Sequence, residues 1–133
     1  MIQFIFVKKV MALAWHPSRD GLLAFGTGEG RVGVYDISNP GKQPIILKQQ
    51  HRRSVYSLSW GPPLGRAEVD DPDRPRLFTC GDGDIYQYHI DFPDRDPINI
   101  KELIHESNPS IKKSVVRIYL SNLASPKKKY LYI

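Results

Sequence analysis

Apolar residues recur along this chain with a period of two, in short runs closed by glycine, proline and aspartate, which predicts strands joined by tight turns. Val10 to Trp15 alternates bulky and small residues and stops at His16-Pro17, since proline has no N–H to give a central ladder. Ser18-Arg19-Asp20-Gly21 supplies turn chemistry, Leu22 to Gly26 reads as the next strand, and Thr27-Gly28-Glu29-Gly30 turns the chain into a third, Arg31 to Asp36. Ser38 to Gly41 is a loop and Ile45-Ile46-Leu47 a short outer strand. The series then restarts with Val55 to Trp60, Arg76 to Cys80 and Asp84 to His89. Between them, Pro62 to Pro75 is rich in Pro, Asp and Arg without apolar periodicity, which predicts a surface insertion. After the loop Asp91 to Pro97, the spacing of Ile100, Leu103 and Ile104 suits a helical turn as well as a strand.

The two series are an internal repeat: VMALAWHPSRDGLLAFGTGEGRVGVYDI against VYSLSWGPP followed by RLFTCGDGDIYQYHI. Trp15 and Trp60 lie 45 positions apart, the upper end of the period of a four-stranded propeller blade. The predicted fold is therefore all-β, a partial propeller of about two blades. Residues 1–9 form an atypical N-terminal segment, 10–54 the first blade, 55–114 the second with its insertion at 62–75, and 115–133 either the start of a third blade or a divergent basic tail. A blade hides its faces only against neighbours, and closed rings need about four. The expectation is a fragment whose open edges make the isolated chain marginal or oligomeric.

Composition adds three constraints. The lone cysteine, Cys80, has no internal disulfide partner and sits in a predicted strand, which suits a buried apolar role in a reducing compartment. The apolar run in MIQFIFVKKV is too short for a signal sequence, and no segment approaches the roughly 20 apolar residues of a membrane span, so neither membrane nor export is expected. A net charge of +5 and a pI near 9.4 favour anionic partners. Arg117 and Lys127 to Lys129 read as a solvated tail rather than a site.

The order of apolar strand, Trp-His-Pro, Asp-Gly, inner strand, glycine turn and Tyr-Asp resembles the WD repeat, with Tyr35-Asp36 where that family has Trp-Asp and Tyr88-His89 in the second copy. His51 falls at the family's Gly-His histidine, preceded here by Gln50. The segments ALAWHP, LAFGTGEGRVGVYD, VYSLSWGPP, DRPRL and LIHESNPSIK are more specific, and are similar over Val10 to Val115 to the RNA-binding WD-repeat subunits of the survival-of-motor-neuron (SMN) complex. That resemblance implies joined propellers that recognise the uridine-rich Sm site of small nuclear RNAs, and the 7-methylguanosine cap, for spliceosomal ribonucleoprotein assembly. It further implies other SMN-complex subunits as partners, residence in cytoplasm and nuclear gems, no cofactor, no small-molecule substrate and no catalysis. In the family, bases stack on aromatic rings at the channel mouth, and the tyrosine of the Val-Tyr-Ser-Leu run corresponds to Tyr56.

The residues themselves bear on that assignment. Strict alternation puts Tyr56, Leu58 and Trp60 on one face of the innermost strand and Val55, Ser57 and Ser59 on the other. Arg52 and Arg53 precede Tyr56, and an aromatic beside guanidinium groups suits single-stranded RNA, where stacking is worth about 1–3 kcal/mol per base. A tyrosine filling the space between blades is the competing reading. Lys8 and Lys9 hold the same place before the first copy, where Met11 replaces the tyrosine. Trp15 and Trp60 are expected to anchor the core between blades.

Other candidates carry less. Gly26 to Gly30 lacks the following helix of a phosphate loop, and Asp82-Gly83-Asp84 lacks the spacing of a calcium loop, so both are turns. His16, His51, His89 and His105 have no zinc-ligand spacing, and no nucleophile elbow occurs. Asp20 and Asp36 are expected to brace turns through backbone N–H groups. A protein-interaction scaffold whose insertion binds a partner is the alternative function.

Overall fold

The computed structural model describes residues 9–65 and 71–106. The first eight residues, part of the insertion, and the 115–133 segment lie outside the described residues.

Eight strands form two four-stranded antiparallel sheets. β1 (Val10–Trp15), β2 (Leu22–Thr27), β3 (Val32–Asp36) and β4 (Ile45–Ile46) pair in sequence order, as do β5 (Val55–Gly61), β6 (Arg76–Gly81), β7 (Ile85–Tyr88) and β8 (Ile98–Asn99). Each sheet is a meander with its longest-range packing through its first strand: β5 lies along β1 and β2. This is the arrangement of two adjacent propeller blades, an open part of a WD-repeat propeller. The ambiguous stretch after Pro97 resolves into both alternatives, since β8 is followed at once by a short helix, α1 (Ile100–Glu106).

The core lies between the sheets. Ala12, Leu22, Ala24, Val32 and Val34 of the first blade meet Val55, Leu58, Leu77 and Tyr88 of the second, with Leu47 and Ile90 from the connecting segments. Small residues on β1 and β2 let the sheets approach closely: a Cβ added at Gly26 would lie 2.6 Å from Val55 Cγ1, so no larger residue fits there. The far face of the second blade is covered by its own chain, where Leu64, Ile100 and Leu103 pack on Phe78, Cys80 and Ile85. Cys80 is buried, as its strand setting suggests.

Three expectations need correction. The pairing register slips between Val10 and Ala12 and again between Val55 and Ser57, so Met11 and Tyr56 are extra residues in matching bulges. A bulge breaks strand alternation, and Tyr56 therefore does not share a face with Leu58 and Trp60: Leu58 joins Val55 in the core, while Tyr56 is 42% exposed. Second, Trp15 does not anchor the core but is 58% exposed. Its repeat mate Trp60 does pack against the core, and its Nε1–H donates to Ala14 O at 3.1 Å across the interface between blades. Third, the insertion is not wholly on the surface, although Pro62 and residues 71–74 are exposed. Pro63 and Leu64 are buried, and the Gln87 side chain holds Leu64 at both ends, accepting from its N–H at 2.8 Å and donating to its carbonyl at 3.2 Å.

Turn chemistry follows the sequence more closely. Asp36 accepts from the Ser38 N–H at 3.0 Å and from its hydroxyl, bonds that hold its carboxyl below the usual carboxylate range. Asp20 accepts no hydrogen bond among the described residues; His16 Nδ1 braces that turn instead, accepting from the N–H groups of Ser18 and Arg19. At the second-copy Tyr-His pair, His89 Nε2 lies 3.2 Å from Asp71, so the insertion supplies the acidic group that the dipeptide lacks.

Candidate nucleic-acid interface

The segment from Leu47 to Ser54 joins the blades and carries the basic residues, and it is pinned from both sides. Its start is held by Leu47 N–H donating to Val32 O at 2.9 Å and by Tyr88 Oη donating to Lys48 O at 2.8 Å. Burial pushes the Tyr88 phenol pKa up, so it stays a donor. Further along, Gln49 Nε2 donates to Glu29 O in the β2–β3 turn and to His51 O, both at 3.2 Å. The Ser54 hydroxyl donates to Gly28 O of the same turn at 2.9 Å. Gly30 makes this fit possible. Its φ of +92° is one that L side chains rarely adopt, and a Cβ there would stand 2.4 Å from His51 O and 2.7 Å from Arg53 O.

On the second blade's side the anchor is His51. Its ring is 1% exposed, with Nε2 at 2.7 Å from Thr79 Oγ1 on β6 and an edge-on contact to the Tyr86 ring, centroids 4.9 Å apart. Burial drives its pKa down to about 4 against a smaller opposing pull from Asp84, so at neutral pH it adds no positive charge.

Charge and aromatic surface come from what this framework leaves outside. Arg52 and Arg53 are exposed, and Tyr56 follows at the bulge that starts β5. Lys9 is exposed beside the same turn, its carbonyl accepting from Gly28 N–H at 2.9 Å. The structure thus places Lys9, Arg52, Arg53 and Tyr56 at one end of the sheets, that of the β2–β3 and β6–β7 turns. Met11, the bulged residue of the first copy, is buried and adds no stacking surface. Arg53 is not wholly available: its guanidinium lies 3.3 Å from Asp82 in the β6–β7 turn, with both side chains more than half exposed. Such an exposed pair contributes little to stability, and a phosphate can compete for the arginine. The sequence reading missed this partner because Asp82-Gly83-Asp84 carries a turn signature, and a turn says nothing of which neighbour its carboxylates reach.

The opposite end is more nearly self-compensated. Asp91 lies between Arg74 at 3.1 Å and Arg19 at 3.7 Å, tying a loop of each blade together, and Arg95 stacks over Phe92 at 4.1 Å. Among the described residues no group of three or more His, Cys, Asp or Glu side chains is arranged to hold a metal ion, and no helix is long and apolar enough to cross a membrane.

No protein-family model matches the chain. Individual proteins do. The chain is 41% identical over 108 residues to gem-associated protein 5 of Homo sapiens, a match covering 78% of this chain and 7% of that protein, and 38% identical over 104 residues to the Mus musculus protein of the same name. It is also 38% identical over 96 residues to a probable cytosolic iron-sulfur protein assembly protein 1 of Cryptococcus neoformans, covering 63% of this chain and 21% of the relative. The chain thus spans a small part of the relatives it matches. Over about three quarters of its own length the chain is homologous to a segment of gem-associated protein 5.

Proposed function

We propose that this chain is part of an RNA-binding WD-repeat protein of the SMN complex, which recognises the Sm site of small nuclear RNAs, and through further blades the 7-methylguanosine cap, during spliceosomal ribonucleoprotein assembly. The names of several of its relatives, gem-associated protein 5 among them, associate those proteins with gems, and on this reading the chain's partners are small nuclear RNA and other SMN-complex subunits in cytoplasm and nucleus. The function is binding, without bond chemistry.

The exposed Tyr56 ring at a strand bulge, three residues after Arg53, is the observation that carries this reading. The bulge breaks the alternation of β5, and here Tyr56 is exposed while Val55 and Leu58 on either side remain in the core. The phenol presents a face on which an unpaired base stacks, while Arg52, Arg53 and Lys9 attract the phosphates on either side. Base stacking supplies affinity that tolerates sequence, and arginine supplies salt-sensitive attraction.

The test is titration of a labelled uridine-rich single-stranded RNA with the full chain and with Tyr56→Ala. The variant is expected to bind at least about fivefold more weakly, from the loss of one stacked base, with little change in thermal stability because the ring is 42% exposed and belongs to none of the core clusters. Parent affinity should also fall steeply as salt rises. Equal affinity of the two proteins, or binding indifferent to salt, would remove the assignment and leave the protein-interaction scaffold as the better account.

A further inference from the structure

Arg53 shares its guanidinium with a carboxylate that the β6–β7 turn does not need. Asp82 directly follows Gly81, which pairs with Val55; the corresponding pair in the first blade is Val10 with Thr27, and there the next residue is Gly28. The same place in the hairpin therefore accepts a residue with no side chain. Stability does not call for the carboxylate either, since Arg53 and Asp82 are both more than half exposed and such a pair contributes little. Asp82 stands instead beside an arginine that faces phosphate. Its Oδ2 lies 3.3 Å from Nη1 of Arg53, and the contact uses that nitrogen alone. A guanidinium carries five N–H donors in a planar fork, so Nη2 and Nε are left for a phosphate while Asp82 stays in place.

Register brings the same carboxylate close to the exposed ring. Tyr56 is the extra residue after Val55 on β5, and Asp82 is the first residue after Gly81 on β6, so the two flank one residue pair on adjoining strands. Diagonal neighbours across such strands stand about 7–8 Å apart. One nucleotide spans that separation, from its base on the Tyr56 ring to its phosphate on Arg53, and its ribose lies between. The 2′-hydroxyl of the ribose sits beside the 3′-phosphate and can donate a hydrogen bond. A carboxylate only accepts. A ribose thus offers Asp82 a hydrogen bond, whereas a deoxyribose brings it the repulsion of the phosphate and nothing in return.

We propose that Asp82 is the specificity-determining residue of this interface: it accepts a hydrogen bond from the 2′-hydroxyl of the nucleotide stacked on Tyr56, and so selects RNA over single-stranded DNA. The claim rests on the RNA reading above and adds the sugar to what the site distinguishes. Without a donor opposite it, the carboxylate weakens binding about threefold, the effect of one unit charge about 6 Å from another in water. The hydrogen bond to a charged acceptor strengthens binding about tenfold and outweighs that repulsion.

Binding of three fluorescein-labelled strands to the full chain tests this, in parent, Asp82→Ala and Asp84→Asn. The strands are oligouridylate, its 2′-fluoro analogue and oligodeoxyuridylate. All three carry the same base, and the 2′-fluoro strand keeps the ribose pucker without the donor. Parent is expected to bind oligouridylate about tenfold more tightly than either analogue. In Asp82→Ala the hydrogen bond and the repulsion are both gone, so oligouridylate should bind about threefold more weakly, oligodeoxyuridylate about threefold more tightly, and the preference should vanish. Asp84→Asn removes a carboxylate of the same turn that does not pair with Arg53, and should leave the preference near tenfold. If Asp82→Ala fails to fold, Asp82→Gly takes its place, glycine being the residue of the first blade's turn. A parent that binds the three strands alike, or a folded Asp82 variant that keeps the parent's preference, overturns the proposal and leaves the interface standing. A parent that binds none of the three overturns the RNA reading, and this inference with it.

Discussion

Trp15 and Trp60 occupy the same place in the two copies of the repeat, yet their truncation should have unequal consequences. Trp60 packs against the core between blades and donates its N–H to Ala14 O at 3.1 Å. Removing a fully buried tryptophan costs about 3–5 kcal/mol, and Trp60 is half buried, so its packing is worth the lower part of that range or somewhat less. The lost N–H adds about 1 kcal/mol and leaves a carbonyl short of a donor. Trp60→Ala should therefore destabilise the chain by about 3 kcal/mol, and Trp60→Phe, which keeps an aromatic ring but not the donor, by about 1 kcal/mol. Trp15 is 58% exposed, and Trp15→Ala should cost less than about 1 kcal/mol. Urea unfolding followed by far-ultraviolet circular dichroism, with slopes compared to exclude a change of unfolded state, gives the three numbers. In Trp15→Ala the remaining indole should also emit at shorter wavelength than the one remaining in Trp60→Ala. Equal losses for Trp15→Ala and Trp60→Ala would refute the packing of the second blade on the first through Trp60.

Other consequences are as direct. Gly30→Ala meets two backbone carbonyls at 2.4 and 2.7 Å and a positive φ, neither of which side-chain motion relieves, so it should cost more than about 2 kcal/mol and raise protease sensitivity at Arg52 and Arg53. Urea midpoints and cleavage mapping read both effects. His51 has a folded pKa of about 4 against 6.5 unfolded, so the unfolded chain binds the proton more tightly. Its contribution is therefore full above pH 6.5 and is lost as pH falls from there through 4, to a limit of about 3 kcal/mol. Urea unfolding between pH 7 and 4 should show this slope in the parent and not in His51→Gln. Gln87→Met keeps the bulk but leaves the buried Leu64 N–H and C=O unpaired, which should lower stability by about 2 kcal/mol.

The strands were legible because alternation and turn residues agree with each other along both copies, and agreement between local signals is what a foldable sequence provides. What failed was what depends on a neighbour. VMALAW and VYSLSW alternate without interruption, and nothing inside either run marks the extra residue, because a bulge is a property of pairing with β2 and β6. Strict alternation therefore assigns Tyr56 to the face of Leu58, although its role as the base-stacking candidate, implied by the WD-repeat resemblance, calls for an exposed ring. Trp15 and Trp60 read alike because the motif is alike, whereas burial is set by which sheet lies alongside. Leu64 was the overlooked signal in the insertion, a large apolar residue followed by glycine in a polar stretch. His51 was recognised by its place in the repeat, but its grip on the loop shows only when Gly30, Thr79 and Gln49 are brought around it.

The central claim is that an unpaired base rests on Tyr56 with its phosphates toward Arg52 and Arg53. Photo-cross-linking of the full chain to 4-thiouridine-substituted single-stranded RNA, with the adduct located by mass spectrometry, tests it most directly. The account predicts that the cross-linked peptide spans Arg52 to Ser57 and that the adduct is lost in Tyr56→Ala. Adducts confined to the opposite end, around Arg19, Asp91 and Phe92, would contradict it.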